Sequence, residues 1–330
     1  MTRIFDARGN RYAVTNPDQL RRLGVAIPDD AADAARLRSH WAAAAIAAVC
    51  AWPEGTAPPG AKAHCSDGLL IGPFSDQAPF DVLIVNTDAT LAERSGNGLT
   101  IFAQALTESG LATLQPFTLR VHHDAGSAPL ETAIEPATLD GIRGFWLDLG
   151  MPQFGPQAVA ALETAVQASR FNDRPVNRVP PLATVNPAWA HSVFVRVGNP
   201  HCVTLLPDAA QLPTFAALHE PALNQPLTRI AFAAGELGAG EPCPAGVNLQ
   251  WACLSEPGQL EARVFERGEG PTASSGTSAS AVACAAWAAG LVQGGAVHVR
   301  MPGGTAPLKL DEQDGVLRGV ALFGVATRVI

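Results

Sequence analysis

The chain has 330 residues, 47% hydrophobic and 16% charged, with a formal net charge of −8. That length exceeds one ordinary core and suits two of about 150 residues each. With no Lys/Arg cluster, the acidic balance argues against nucleic acid or a membrane surface as partner and leaves small polar molecules.

Six cysteines (Cys50, Cys65, Cys202, Cys243, Cys253, Cys284) form no Cys-x-x-Cys pair, so reduced and mostly buried thiols are expected and a metal site is not. The opening Met1-Thr-Arg-Ile-Phe-Asp6 has no apolar signal region. The longest apolar run, Trp41 to Trp52, is shorter than the roughly 20 residues of a membrane span, and a cytoplasmic location is expected.

In chain order, an alternating segment from Thr2 to Phe5 leads into Gly9-Asn10. A helix is predicted over Asp29–Cys50, a Pro-rich loop over Pro53–Pro59 and a strand over Phe80–Asn86. The turn Ser95-Gly-Asn-Gly98 then opens a helix over Leu99–Glu108, followed by strands at Phe117–His122 and Gly144–Asp148. Pro175–Pro187 reads as a second loop. Strands follow at Ser192–Val197, which runs into Gly198-Asn199, at Asn248–Leu254 and at Leu260–Glu266. A second turn, Ser275-Gly-Thr-Ser278, opens a helix over Thr277–Ala289 that stops at Gly290.

The spacing repeats. Asn86 stands nine residues before Ser95, Glu266 stands nine before Ser275, and the two Gly-Asn pairs lie 189 residues apart. This predicts an α+β chain of two pseudo-symmetric domains, each a strand-rich layer wrapped round a central helix, with the site in the cleft between them. The first N–H groups of a helix lack internal partners and sit at its positive end, so each serine turn is suited to a carboxylate. Two such turns on one substrate suit removing a proton from one face and returning it from the other.

The segments Asn86-Thr-Asp-Ala-Thr-Leu-Ala-Glu-Arg-Ser95-Gly-Asn-Gly98 and Glu266-Arg-Gly-Glu-Gly-Pro-Thr-Ala-Ser-Ser275-Gly-Thr277 resemble the two catalytic segments of the diaminopimelate epimerases. Gly198-Asn-Pro-His-Cys-Val203, Ser66-Asp-Gly-Leu-Leu70, Gly246-Val-Asn248 and Met301-Pro-Gly-Gly304 match the family as well, in its order. The resemblance covers nearly the whole chain. It implies domains over 1–149, completed by a C-terminal strand at about 318–330, and over 150–317. It also implies a PLP-independent epimerase or racemase that works at an amino-acid α-carbon without a cofactor, as in lysine biosynthesis, and it allows a homodimer.

In that family two cysteines act as base and acid; here Ser95 and Ser275 stand in both places. The positions that resemble substrate-binding residues are Asn10, Asn86, Asn199, Asn248 and Arg267, with the backbone amides of Gly96, Asn97, Gly276 and Thr277 for the reacting carboxylate. A serine needs an adjacent base, and among the matched residues His201 and Glu266 are the candidates. The Pro28–Lys62 segment is longer than is usual in the family, and Tyr12 and Thr100 depart from its pattern. Three readings follow: an amino-acid epimerase or racemase, a double-bond isomerase or tautomerase of an unsaturated polycarboxylate, and a non-catalytic amino-acid-binding protein.

Overall fold

The computed structural model describes residues 3–53, 55–124 and 128–329. Met1 and Thr2 of the opening segment, Glu54 of the first Pro-rich loop and Ile330 of the expected last strand lie outside the described residues. The chain divides into two compact units, Met1–Leu147 with Phe323–Ile330, and Asp148–Leu322.

The first unit begins with a hairpin of β1 (Arg3–Ala7) and β2 (Asn10–Thr15). Its two turn residues, Arg8 and Gly9, both have positive φ, 55° and 82°, which a tight two-residue hairpin requires. Asn10 is thus the first residue of the returning strand. Helices α1 (Pro17–Arg22), α2 (Ala31–Arg36) and α3 (Ala42–Val49) follow.

The single helix predicted over Asp29–Cys50 is therefore corrected to two, separated by a tighter turn at Arg38–His40. The cause is Trp41. Its fully buried indole donates Nε1–H to Ala34 O at 2.8 Å, occupying a carbonyl in the last turn of α2.

Strand β2 runs parallel to β3 (Gly68–Ile71), which pairs antiparallel with β4 (Phe80–Asn86). Helix α4 (Gly96–Glu108) carries the chain to β5 (Phe117–His122), parallel to β4. A meander of β6 (Leu130–Leu139) and β7 (Ile142–Asp148) completes the path.

In the second unit, β8 (Gln153–Phe154) precedes a ribbon of β9 (Gln167–Phe171) and β10 (Arg174–Arg178), and then α5 (Pro180–Val185). The loop expected over Pro175–Pro187 is thus mostly a strand and a short helix. Pro180 and Pro181 open that helix, where an N–H would be unpaired anyway.

Thereafter the path of the first unit recurs. Strands β11 (Ser192–Val197) and β12 (Asn199–Leu205) form a hairpin closed by Gly198 at φ 67°. After α6 (Phe215–His219) and α7 (Pro221–Ala231), β13 (Asn248–Glu256) lies parallel to β12. Strand β14 (Gln259–Glu266) pairs antiparallel with β13 and carries the short β15 (Gly270–Thr272). Helix α8 (Gly276–Ala288) crosses to β16 (Gly295–Met301), parallel to β14, and β17 (Gly304–Gln313) and β18 (Val316–Gly324) form the closing meander. The last residues return to the first unit, where β19 (Thr327–Arg328) pairs with β1.

Both crossing helices are buried because the strands of their own unit wrap them. Helix α4 buries Leu99, Ile101, Phe102 and Leu106, and α8 buries an almost unbroken run of small residues from Ala279 to Ala286. A helix apolar on every side belongs in a core rather than on a surface. Full burial of each large apolar side chain contributes about 1.5–3 kcal/mol, so both serine turns are held on rigid supports.

The repeat extends to single residues. Asn10 and Asn199 open returning strands, Tyr12 opposes Gly68 where His201 opposes Asn248, and Asn86 and Glu266 end corresponding strands.

Candidate active site

The serine turn of the first unit lies at the N-terminus of α4. Ser95 has extended backbone (φ −142°, ψ 117°), and its Oγ accepts the Gly98 N–H at 3.0 Å, capping the helix. The amides of Gly96 and Asn97, both buried, find no acceptor among the described residues. They are the orphan donors of a first turn, suited to an anion. A Cβ on Gly98 would come 3.2 Å from Ser95 Oγ and 3.4 Å from Leu70, so the glycine is fixed by close packing. Asn86, at the end of β4, donates Nδ2–H to Thr90 Oγ1 at 2.9 Å. The Asn10 side chain makes no hydrogen bond among the described residues.

The Ser-Asp-Gly segment supports this turn. Asp67 accepts the Arg11 N–H at 2.8 Å. The Tyr12 ring lies where a Cβ on Gly68 would be, 2.6 Å from its Cε1. Thr100 bonds back to Gly96 O at 2.8 Å inside α4.

The serine turn of the second unit repeats the cap and adds a carboxylate. Ser275 has φ −145° and ψ 122°, and its Oγ accepts the Ser278 N–H at 3.4 Å. The Ser275 hydroxyl also donates to Glu266 Oε1 at 2.8 Å, and Thr272 donates to Glu266 Oε2 at 3.1 Å. Burial, reinforced by the nearby Glu269 charge, outweighs these hydrogen bonds and raises the Glu266 carboxyl to about 7. The Gly276 and Thr277 amides find no acceptor among the described residues.

Asn248 Oδ1 accepts the Arg267 backbone N–H at 2.9 Å, and the Arg267 guanidinium donates to Ala245 O at 3.1 Å. A cavity of about 480 Å³ borders Arg267 and is also lined by Phe232, Glu236 and Leu237. The Asn199 side chain, like that of Asn10, makes no hydrogen bond among the described residues.

His201 is fully buried on β12. Burial first, then the positive charges of Arg267 and Arg196, push its imidazole down to about 3, so it is neutral at physiological pH. Among the described residues no hydrogen bond joins it to Ser275. Its Nδ1 lies 3.0 Å from Gln250 Nε2, which also reaches Ser278 Oγ at 3.0 Å. Gln250 and Thr272 are neighbours of this turn that sequence reasoning missed; the available signal was one glutamine among the apolar residues Leu249, Trp251 and Ala252 of a buried strand. Cys202, beside His201, is buried and its thiol is pushed far above the ordinary range.

Among the described residues no cluster of three His, Cys, Asp or Glu side chains is arranged to hold a metal, and no helix is long and apolar enough to cross a membrane.

A family model described as diaminopimelate epimerase matches residues 193–328. A curated diaminopimelate epimerase from Mycobacterium avium is 30% identical over 291 residues, covering 85% of this chain and 86% of the relative. Diaminopimelate epimerase 2 from Nostoc sp. is 29% identical and covers 75% of each chain.

Among solved structures, a methylitaconate-delta-isomerase matches with a TM-score of 0.54 at 16% identity, covering 100% of this chain and 93% of that one. A hydroxyproline epimerase from Agrobacterium vitis matches with a TM-score of 0.52 at 15% identity, covering 99% and 90%. At such identities the likeness concerns the fold. The mixed α/β fold and the curated relatives define an enzyme, a cofactor-independent isomerase. Within that class the chain belongs to the diaminopimelate epimerase family.

Proposed function

We propose that this isomerase inverts an amino acid at its α-carbon, with Ser275 and Glu266 as one proton-transfer pair and Ser95 serving the opposite face. The observation that carries the reading is the 2.8 Å hydrogen bond from the Ser275 hydroxyl to Glu266. A hydroxyl alone is too weak a base, and an adjacent carboxylate supplies what it lacks. Ionised Glu266 takes the hydroxyl proton as Ser275 Oγ takes the α-proton, so the negative charge passes to the substrate carbon and carboxylate; on the opposite face the Ser95 hydroxyl gives the carbon a proton and takes one from water, and Glu266 releases its own proton to water.

The amides of Gly96, Asn97, Gly276 and Thr277 hold that carboxylate. They stabilise the charge where it develops, because first-turn donors are already aimed and need no reorganisation. Asn10, Asn86, Asn199, Asn248 and Arg267 bind the rest of the amino acid. The guanidinium at the edge of the Arg267 cavity favours a distal carboxylate, which diaminopimelate possesses.

The test is α-proton exchange in heavy water, followed by loss of the α-proton NMR signal, with diaminopimelate first and other polar amino acids after it. Exchange with at least one of them is expected. No exchange with any would overturn the reading.

One observation favours a second reading. Among the described residues of its own unit, Ser95 meets no carboxylate. A weak base on one side suits substrates with more acidic protons, such as unsaturated polycarboxylates, and a double-bond isomerase would act on these. Ultraviolet absorbance with a panel of methylitaconate and aconitate separates the two activities. Thermal stabilisation by an amino acid with no turnover in either assay would instead mark a binding protein.

A further inference from the structure

Beneath the Ser275 turn lies a chain of three polar side chains, His201, Gln250 and Ser278, each fully buried. They come from three elements, β12, β13 and α8. Gln250 Nε2 stands 3.0 Å from His201 Nδ1 and 3.0 Å from Ser278 Oγ. The Ser278 backbone N–H in turn reaches Ser275 Oγ at 3.4 Å.

The repeat supplies an internal control. The corresponding positions of the first unit, 189 residues earlier for the histidine and 180 earlier for the other two, hold Tyr12, Leu70 and Gly98. There Leu70 packs directly against the Gly98 position. The same path thus folds with apolar packing at this level. In the first unit only the Tyr12 hydroxyl is polar at this level, whereas the second unit carries three polar side chains and leaves Gln250 Oε1 and His201 Nε2 buried without a hydrogen-bond partner among the described residues. A fold requirement does not account for that choice.

The donor arithmetic gives its content. An amide nitrogen donates and never accepts, so its two hydrogens account for its two contacts. With the amide turned this way, His201 Nδ1 accepts and the ring proton stands on Nε2; the Val197 backbone also bonds the ring. We propose that Gln250 and Ser278 are positioning residues that lock His201 as a neutral imidazole protonated on Nε2 and tie it to the first turn of α8. His201 then works as an N–H donor of fixed orientation, and Glu266 remains the base for Ser275. The charged groups bearing on the ring, Arg267 and Arg196, both oppose a second proton.

The activity part of the test rests on the proposed proton transfer; the tautomer part does not. Nitrogen-15 NMR of histidine-labelled protein, with the His201→Gln variant to assign the resonance among eight histidines, reads the tautomer directly. The expected result is one neutral, Nε2-protonated form from about pH 5 to 9. Gln250→Glu should move the proton to Nδ1 and let the ring titrate inside that window. Gln250→Leu, which copies the first unit, should release the tautomer to a mixture.

In proton exchange, both variants should lower kcat by up to about 10²-fold with KM little changed, as expected of a misplaced reacting group. Ser278→Gly, which adds no bulk, should do the same more weakly. A wild-type ring protonated on Nδ1 overturns the proposal, as do folded Gln250 variants with an unchanged tautomer and an unchanged pH profile. If the wild type shows no exchange with any substrate, the functional reading fails and the tautomer still decides this one.

Discussion

Ser275 donates its hydroxyl to Glu266 at 2.8 Å, whereas Asn86, at the corresponding strand end, turns its amide to Thr90 at 2.9 Å and leaves Ser95 as a helix cap. The two turns share one backbone conformation and differ in their partners. The amides and caps are shared, while the carboxylate and the buried polar chain behind it belong to one unit. In the proposed proton transfer the pH dependence therefore rests on Glu266.

Burial and the Glu269 charge hold the Glu266 carboxyl at about 7, above its ordinary 4.5. Proton exchange should therefore rise with pH through about 7 and level off above it, because the ionised carboxylate is the acting form. Glu266→Gln should lower the rate by about 10²–10⁴-fold, the usual contribution of a general base, and abolish that limb. The stability effect has the opposite direction. A raised folded-state carboxyl pKa costs stability as pH climbs from about 4.5 to about 7, so Glu266→Gln should gain Tm relative to wild type at pH 8 and not at pH 4. A pH-rate profile and parallel melting curves check both.

Replacing both serines by cysteine tests whether a thiol at each turn is enough to raise the proposed exchange. A free thiol has a pKa of about 8.5, lowered at a helix N-terminus, and supplies nucleophile or base at neutral pH without help. Ser95→Cys with Ser275→Cys should raise diaminopimelate exchange by at least about tenfold. Sulfur is the poorer cap, and loss of a cap costs about 1 kcal/mol, so Tm should fall by about 2–4 °C for each site. Unchanged exchange in a folded double variant would place the limit in the binding residues instead.

The Met301-Pro-Gly-Gly304 segment braces the same turn. Gly303 N–H donates to Ala273 O at 2.7 Å, and a Cβ at position 303 would lie 2.8 Å from Ser274 Cβ and 3.0 Å from Ala273 O. Its φ lies outside the left-handed region, so the constraint is contact and not conformation. Gly303→Ala should displace the Ser275 cap and lower kcat about 10-fold or more, with a stability loss of about 1–3 kcal/mol from overpacking. Adding Ser274→Gly removes the nearest clashing atom and should restore part of both; steady-state kinetics and urea unfolding of the single and double variants measure the coupling.

What the sequence made legible was local chemistry. The serine turns open helices and the alternating or β-branched runs are strands, because each depends on residues within a few positions. What stayed hidden depends on distant partners. Trp41 breaks a good Ala-rich helix only by reaching the Ala34 carbonyl in the folded chain. The Pro175–Pro187 stretch forms a strand and a helix because β9 and the following core supply what composition argues against. Gln250 shows its use only when β12, β13 and α8 converge on it.

The same limit applies to Asp81, which reads in sequence as one acid in the apolar strand Phe80–Asn86 and becomes the anchor of a buried cluster. Arg120, opposite it on β5, donates Nε–H to Oδ1 at 2.5 Å and an Nη2–H to Oδ2 at 2.9 Å, and His122 Nε2 lies 2.6 Å from Oδ1. Burial alone would raise the Asp81 carboxyl, but the hydrogen bonds from His122 and Arg120, with their charges, hold it at about 2, below its ordinary 3.8. A lowered folded-state carboxyl pKa contributes stability that is present above about pH 4 and lost as pH falls towards 2. At about 1.4 kcal/mol for each unit, the contribution is about 2 kcal/mol at neutral pH. Asp81→Asn should therefore lower Tm by about 4–8 °C at pH 7, and the gap to wild type should close between about pH 4 and pH 2. Urea midpoints measured across that range decide it: a gap that stays constant with pH would show that the Asp81 charge contributes nothing and that only the shape of the cluster matters.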